Sequence, residues 1–228
     1  MITEVEKEKL YTARWNARQL PPSSHQRALI EILSELIGVA EKGGSDTGRK
    51  VAIVVGHNVK ARGVDSPYLK LSEYDYNYDL AVWIMKGAEF EVQRFIRRWD
   101  LGYSAEVAEC YHRVEAWNPD LIVELHCNAS GSGAAYASCW HHSASSVSKK
   151  VSVILSKHFS GGLRICNGGA KVIERRGRAS VTATNIPTVI AEPFFMDETT
   201  NCEKVASLGM PGMAEIYIKG IEAALKVI

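Results

Sequence analysis

The chain has 228 residues, 46% of them hydrophobic and 23% charged, with 27 basic against 26 acidic side chains and a formal net charge of +1. That composition excludes disordered, collagenous and coiled-coil chains, and the balanced charge gives no reason to expect a nucleic acid or an anionic membrane as partner. The length suits one α/β domain with a sizeable core, plus an appendage.

The first residues, Met1-Ile2-Thr3-Glu4-Val5-Glu6-Lys7, are charged where a secretory signal needs an apolar core. No run approaches the roughly 18 apolar residues of a membrane span. Cytoplasmic synthesis without membrane insertion is therefore expected. Residues 1–45 are predicted helical. Paired prolines, Pro21-Pro22, stop a first charged helix, and Leu29, Ile30, Leu33, Leu36, Ile37 and Ala40 give a second one an apolar stripe at helical spacing. A loop, Gly43-Gly44-Ser45-Asp46-Thr47-Gly48, closes this N-terminal helical extension, taken as residues 1–48. It carries no catalytic pattern and reads as a packing or interaction segment.

From residue 49 to 228 strand and helix signals alternate. Val51-Ala52-Ile53-Val54-Val55 is a continuous apolar run, the pattern of a strand covered on both faces. Ser72 is placed to cap a helix, with Asp75 three residues on and Tyr76, Leu80, Trp83 and Ile84 as its apolar face. Phe90, Val92 and Phe95 suggest a second strand. A helix over Ser104–Trp117 leads through Asn118-Pro119-Asp120 into the strand Leu121–His126. Another strand near Tyr136–Trp140 precedes a helix carrying Val147, Val151, Ile154 and Leu155. Pro187–Pro193 is a last strand, and Pro211–Ile228 has helical spacing. This order predicts a single open, twisted, mostly parallel α/β sheet with helices on both faces.

Open α/β sheets place their functional groups just beyond the carboxyl ends of the strands. Three polar sites fall there. Gly56-His57-Asn58 follows the first strand, His126 ends the Leu121–Leu125 strand, and Glu192 sits inside the apolar run Thr188–Phe195. Glu73 begins a helix, where it also complements the helix dipole. A lone histidine after a strand is more often structural than a ligand. Glu192 is harder to dismiss, because a carboxylate between Ala191 and Phe194 is costly to bury unpaired. Together, two histidines and two glutamates supply three ligands and a general base for Zn²⁺.

Gly56-His57, then Glu73 with Asn77 four residues later, then His126-Cys127-Asn128-Ala129, then Pro187 with Glu192 five residues on, resemble the zinc-dependent N-acetylmuramoyl-L-alanine amidases, phage and prophage lysins among them. The fragments lie in the family's order, with the four chemical residues separated by 16, 53 and 66 positions. The resemblance covers roughly residues 50–225 and implies a zinc-exopeptidase-like amidase fold. It implies one Zn²⁺ per chain on His57, Glu73 and His126, with Glu192 acting on the attacking water. It also implies hydrolysis of the bond between N-acetylmuramic acid and L-alanine, in wall peptidoglycan after release of a lysin or in soluble muropeptides in the cytoplasm. Asn77, Asn128 and Arg176 are carried as supporting or substrate-touching residues, and Arg113 and Asn118 as organisers of the fold near the site.

Two positions depart from the family pattern. Asn58-Val59-Lys60 stands where two glycines usually follow the first histidine, and Glu124 replaces a small polar residue two before His126. Strand alternation puts Glu124 on the same face as His126, where it would support the zinc ligands or meet the substrate's amine.

Other clusters read as structural. In Cys139-Trp140-His141-His142 adjacent side chains point to opposite faces of a strand, and the same argument separates Cys127 from His126. Glu174-Arg175-Arg176-Gly177-Arg178 reads as a solvated basic loop with the option of an arginine fork for substrate carboxylates. The five cysteines are scattered, with no Cys-x-x-Cys pair, and are expected free. The rival functions are another zinc amidohydrolase or carboxypeptidase-like exopeptidase, and a non-catalytic peptidoglycan-binding module. The intact general base argues against the last. The sequence sets no oligomeric state.

Overall fold

Lys50–Val55 forms β1, buried throughout except at Lys50, as its β-branched run requires. The computed structural model describes residues 48–228 other than Ser132 and Arg176, together with Lys9, Leu10, Ala13, Ala17, Leu29 and Leu33. Those six isolated residues are helical; the rest of the predicted N-terminal helices lies outside the described residues. The chain divides into two units, residues 1–44 and 45–228, and the second is the subject below.

After β1 the chain runs through β2 (Asp65–Ser66), β3 (Leu71–Ser72), α1 (Glu73–Gly87), β4 (Glu91–Ile96), α2 (Tyr103–Trp117), β5 (Leu121–Leu125) and β6 (Tyr136–His141). It continues with α3 (Ser146–Leu163), β7 (Cys166–Val172), α4 (Arg178–Val181), β8 (Thr188–Glu192) and α5 (Thr199–Leu225). Six strands form one sheet in the order β4-β1-β5-β8-β6-β7, and β2 and β3 pair separately as a two-residue ribbon. β4, β1, β5 and β8 are mutually parallel; β6 pairs antiparallel with β8 and parallel with β7. The sheet is thus open and mostly parallel, with β6 and β7 reversed.

Register fixes which side chains share a face. Val54 lies opposite Glu124, Glu124 opposite Ile190, and Ser138 opposite Glu192. By alternation His126, two beyond Glu124, belongs to that same face, as does Arg97, two beyond Phe95. Ala52, Val54, Phe95 and Ile122 on this face pack under Val107, Cys110, Tyr111 and Val114 of α2. Over β8 and β6 the cover shrinks to the four-residue α4, with Ile173, Val181, Ile190 and Trp140 as a small apolar cluster. The opposite face carries α1, α3 and α5, with α5 packed against both of the others. One face is therefore fully roofed and the other only half roofed.

The short β2, β3 and α4 and the longer β7 lie in stretches to which the sequence pattern assigned no strand or helix. The glycines of β7 are poor strand formers, yet Gly168 is accommodated by a register shift against Ala137 and Ser138, and Gly169 has φ +75°. The C-terminal helix begins twelve residues earlier than the tail predicted from Pro211, at Thr199, and breaks at Gly209 (φ +64°), just before Pro211.

Candidate metal centre and cleft

At the end of β1 the backbone turns at Gly56, whose amide donates to the Leu125 carbonyl at 2.9 Å. A Cβ there would lie 2.3 Å from that carbonyl oxygen and 2.6 Å from the His126 ring, so the approach of β1 to β5 requires glycine. His57 follows in the left-handed region (φ +66°), a conformation disfavoured for a residue with a side chain and held by its surroundings. The loop then curls back until Gly63 (φ +77°) meets the same centre. A Cβ on Gly63 would fall 2.4 Å from Glu73 Oε2 and 2.8 Å from the His57 ring.

Glu73 comes from the first turn of α1. Ser72 caps this helix, its hydroxyl accepting the Asp75 amide at 3.2 Å and donating to the Asp75 carboxylate at 2.7 Å. The Glu73 amide donates to the Val64 carbonyl, which anchors the helix start against the curled loop. Its buried carboxylate is then shared. Oε2 lies 3.0 Å from His57 Nε2, and Oε1 lies 2.9 Å from His126 Nδ1 and accepts the Cys127 amide at 2.9 Å. Donor atoms of His57, Glu73 and His126 all lie within 4.8 Å of one another, and the two imidazole rings meet edge to face at 4.9 Å.

Burial would raise the Glu73 carboxyl, but the hydrogen bonds with His126 and His57 outweigh it and hold the group well below the usual carboxylate range. Burial works the other way on His126, and its contacts with Glu124 and Glu73 prevail, lifting the imidazole to about 10 in the metal-free protein. A buried carboxylate with two histidines, walled by two glycines that leave room beside them, is a donor set that fits Zn²⁺.

Glu192 ends β8 on the same face. Its Oε2 is buried and has no hydrogen-bond partner among the described residues. Burial pushes its carboxyl up to about 8; Glu73 and Glu124 add to the rise, and His126 opposes it. Glu192 faces a cleft of about 1030 Å³ that also exposes His57, Glu73, Glu124 and His126. The cleft runs from the metal centre across the half-roofed face, between Tyr103 and Arg97 on one side and Trp140, Val172 and Arg175 on the other.

The supporting residues separate. Asn128 lines the cleft; its backbone links β5 to the segment after β8 through the Phe194 carbonyl and Met196 amide, each at 2.9 Å. Asn77 is fully buried behind Cys127, with Oδ1 facing the thiol at 3.8 Å, and does not line the cleft. Arg176 lies outside the described residues. Arg113 grips Glu109 and donates to the Ile96 carbonyl at 2.8 Å, tying α2 to the end of β4, and Asn118 closes α2 in the left-handed region.

Sequence reasoning missed Arg97, Tyr111, Asn58 and Glu106. Tyr111 donates its hydroxyl to Glu124 at 2.6 Å, Arg97 lies 3.6 Å from the same carboxylate, and Asn58 donates to Glu106 at 2.9 Å. The available signal for Arg97 was its place just past a parallel strand's carboxyl end. Cys127 is fully buried, and burial raises its thiol well above the ordinary range, as expected of a structural cysteine.

A family model for N-acetylmuramoyl-L-alanine amidase matches residues 51–223. No curated protein matches the chain. Among solved structures, the catalytic domain of the CD27L endolysin targeting Clostridia difficile superposes with a TM-score of 0.66 at 23% identity, covering 77% of this chain and 97% of that domain. The catalytic domain of CwlV, an N-acetylmuramoyl-L-alanine amidase from Bacillus (Paenibacillus) polymyxa var. colistinus, gives 0.61 at 21% identity, covering 79% and 99%. The CwlD amidase from Clostridioides difficile, solved with the GerS lipoprotein, gives 0.66 at 16% identity, covering 79% and 100%. These likenesses share the fold.

Proposed function

The chain belongs to the N-acetylmuramoyl-L-alanine amidase family, and we propose that it cleaves the amide between N-acetylmuramic acid and L-alanine as a single-zinc enzyme, with His57, Glu73 and His126 as ligands and Glu192 as the proton carrier. The activity is that of an amidase acting on peptidoglycan; the metal and the residue roles are our reading. The observation that carries it is the pairing, in one cleft, of a three-residue donor cluster with a glutamate whose buried Oε2 has no hydrogen-bond partner among the described residues.

Zinc bound there would supply Lewis acidity, which makes water a nucleophile near neutral pH and polarises the scissile carbonyl. Glu192 takes the proton from the attacking water and returns it to the leaving amine of L-alanine. Its raised affinity for a proton suits both halves of that task. The ionised Glu73 offers an anionic ligand that is already desolvated and oriented by the Cys127 amide. Gly56 and Gly63 keep the floor of the site clear of side chains.

We further propose that residues 49–228 form the catalytic domain and residues 1–48 an extension outside it, and that the substrate is wall peptidoglycan. The fold shared with an endolysin catalytic domain supports the latter. No helix among the described residues is long and apolar enough to cross a membrane. The test is product analysis by mass spectrometry on digested peptidoglycan. The expected product is free stem peptide with an L-alanine amino terminus. It should disappear with a chelator, and it should fall about 10²–10⁴-fold in Glu192→Gln while zinc remains bound one per chain. Release of single terminal amino acids would instead mark an exopeptidase, and zinc binding without cleavage a binding module.

A further inference from the structure

His126 offers two ring nitrogens, and the structure gives each a different carboxylate. Nδ1 faces Glu73, a member of the donor cluster, at 2.9 Å, and Nε2 faces Glu124 Oε1 at 2.9 Å. Glu124 stands outside the group of donor atoms that lie within 4.8 Å of one another. It is nevertheless firmly held. It is 1% exposed, its Oε2 accepts the Tyr111 hydroxyl at 2.6 Å, and the almost fully buried Arg97 guanidinium stands 3.6 Å from Oε1. The Cε1–Nε2 edge of the His126 ring also packs against the backbone at Gly56, where no side chain would fit.

We infer that Glu124 is a positioning residue for the metal centre: it accepts the Nε2–H of His126, which leaves Nδ1, the nitrogen on the Glu73 side, as the one that would bind the ion. Tyr111 and Arg97 hold Glu124 in place for that purpose, so α2 and the end of β4 set the orientation of a ligand carried by β5. Partners of this kind fix ring direction and raise ligand basicity, and losing one typically weakens metal binding about 10–100-fold. The inference rests on the proposed metal role of His126 and makes no use of Glu124 as ligand or proton carrier. A substrate amine, the other partner open to it from sequence, would have to compete with His126, Tyr111 and Arg97 for its two oxygens.

The test measures zinc affinity by competition with a chromophoric chelator for wild type, Glu124→Gln, Glu124→Ser and Tyr111→Phe, alongside ¹H–¹⁵N spectra of the histidine rings in the zinc-loaded protein. Glu124→Gln should weaken zinc about tenfold, Glu124→Ser by up to about a hundredfold, and Tyr111→Phe by a few-fold. Wild type should show a protected Nε2–H resonance for His126 that Glu124→Ser loses. If Glu124→Ser fails to fold, the isosteric glutamine and the Tyr111→Phe variant decide, since Tyr111→Phe leaves the Arg97 pair in place. Wild-type affinity in the glutamine and phenylalanine variants, or an Nδ1–H tautomer in wild type, would overturn the inference. Absence of stoichiometric zinc in wild type would instead remove the proposed metal role itself.

Discussion

The carboxyl ends of β5 and β8 are neighbours in the sheet, and each delivers a glutamate to one cleft, Glu124 buried and Glu192 half-buried. At β5 every oxygen of Glu124 is taken, by His126, Tyr111 and Arg97, and the group stays ionised well below the usual carboxylate range, burial notwithstanding. At β8 Glu192 Oε2 meets no partner among the described residues, and burial lifts its carboxyl to about 8. The same residue type, on adjacent strands but two residues out of register, becomes a fixed anion in one place and a carboxyl that holds its proton in the other. Partners, not burial, make the difference, since burial alone pushes both in the same direction.

The contrast breaks most severely at Glu73, the proposed ligand that joins the two histidines. Glu73→Ala removes the carboxylate bridging His57 and His126, and the loss of zinc affinity, read by calorimetry, should exceed the roughly hundredfold ceiling for residues that only support a ligand. Gly63→Ala tests the same point through the backbone. A methyl group 2.4 Å from Glu73 Oε2, at a φ of +77°, must displace the carboxylate, so zinc binding should fall even though no ligand has changed.

A pH experiment sharpens the contrast at β8. In chelator-treated protein Glu192 holds its proton to about pH 8, against an ordinary value of 4.5. Its stabilising contribution is therefore complete below about 4.5 and is lost as pH rises through 8. Glu192→Gln lacks this dependence. Its melting temperature should draw ahead of wild type between pH 5 and 9, by the equivalent of about 4 kcal/mol. Parallel curves would mean that Glu192 is not buried unpaired. The smallest effect belongs to the cap. Ser72→Ala loses the bond to the Asp75 amide and should cost about 1 kcal/mol in thermal unfolding, with zinc affinity nearly unchanged.

The sheet's interior was legible because its residues have one environment each. Val51–Val55 is buried on both faces and reads as such, and the same holds for Leu121–Leu125. β7 was not legible, since Gly168 and Gly169 have no propensity to offer and the strand exists only through its pairing with β6. At the site, His57, Glu73, His126 and Glu192 stood out by motif order and by position at strand and helix ends. Arg97 was hidden in the charged run Arg97-Arg98-Trp99-Asp100, where Arg98 pairs with Asp100 at the surface and Arg97 turns inward. Tyr111 fitted α2's apolar stripe with Val107 and Val114, and a stripe does not reveal that a hydroxyl at its edge reaches a carboxylate one strand away.

The reversal of β6 and β7 has a further bearing on how this architecture tolerates change. The metal donors and Glu192 come from β1, α1, β5 and β8, whereas Trp140 and Val172, at the far cleft wall, come from the reversed pair. The proposed catalytic residues and the far cleft wall are thus carried on different stretches of chain. Exchanging residues 136–172 for the corresponding segment of another amidase should reshape that wall, read as a change in the stem peptides released, with every proposed hydrolytic residue left in place.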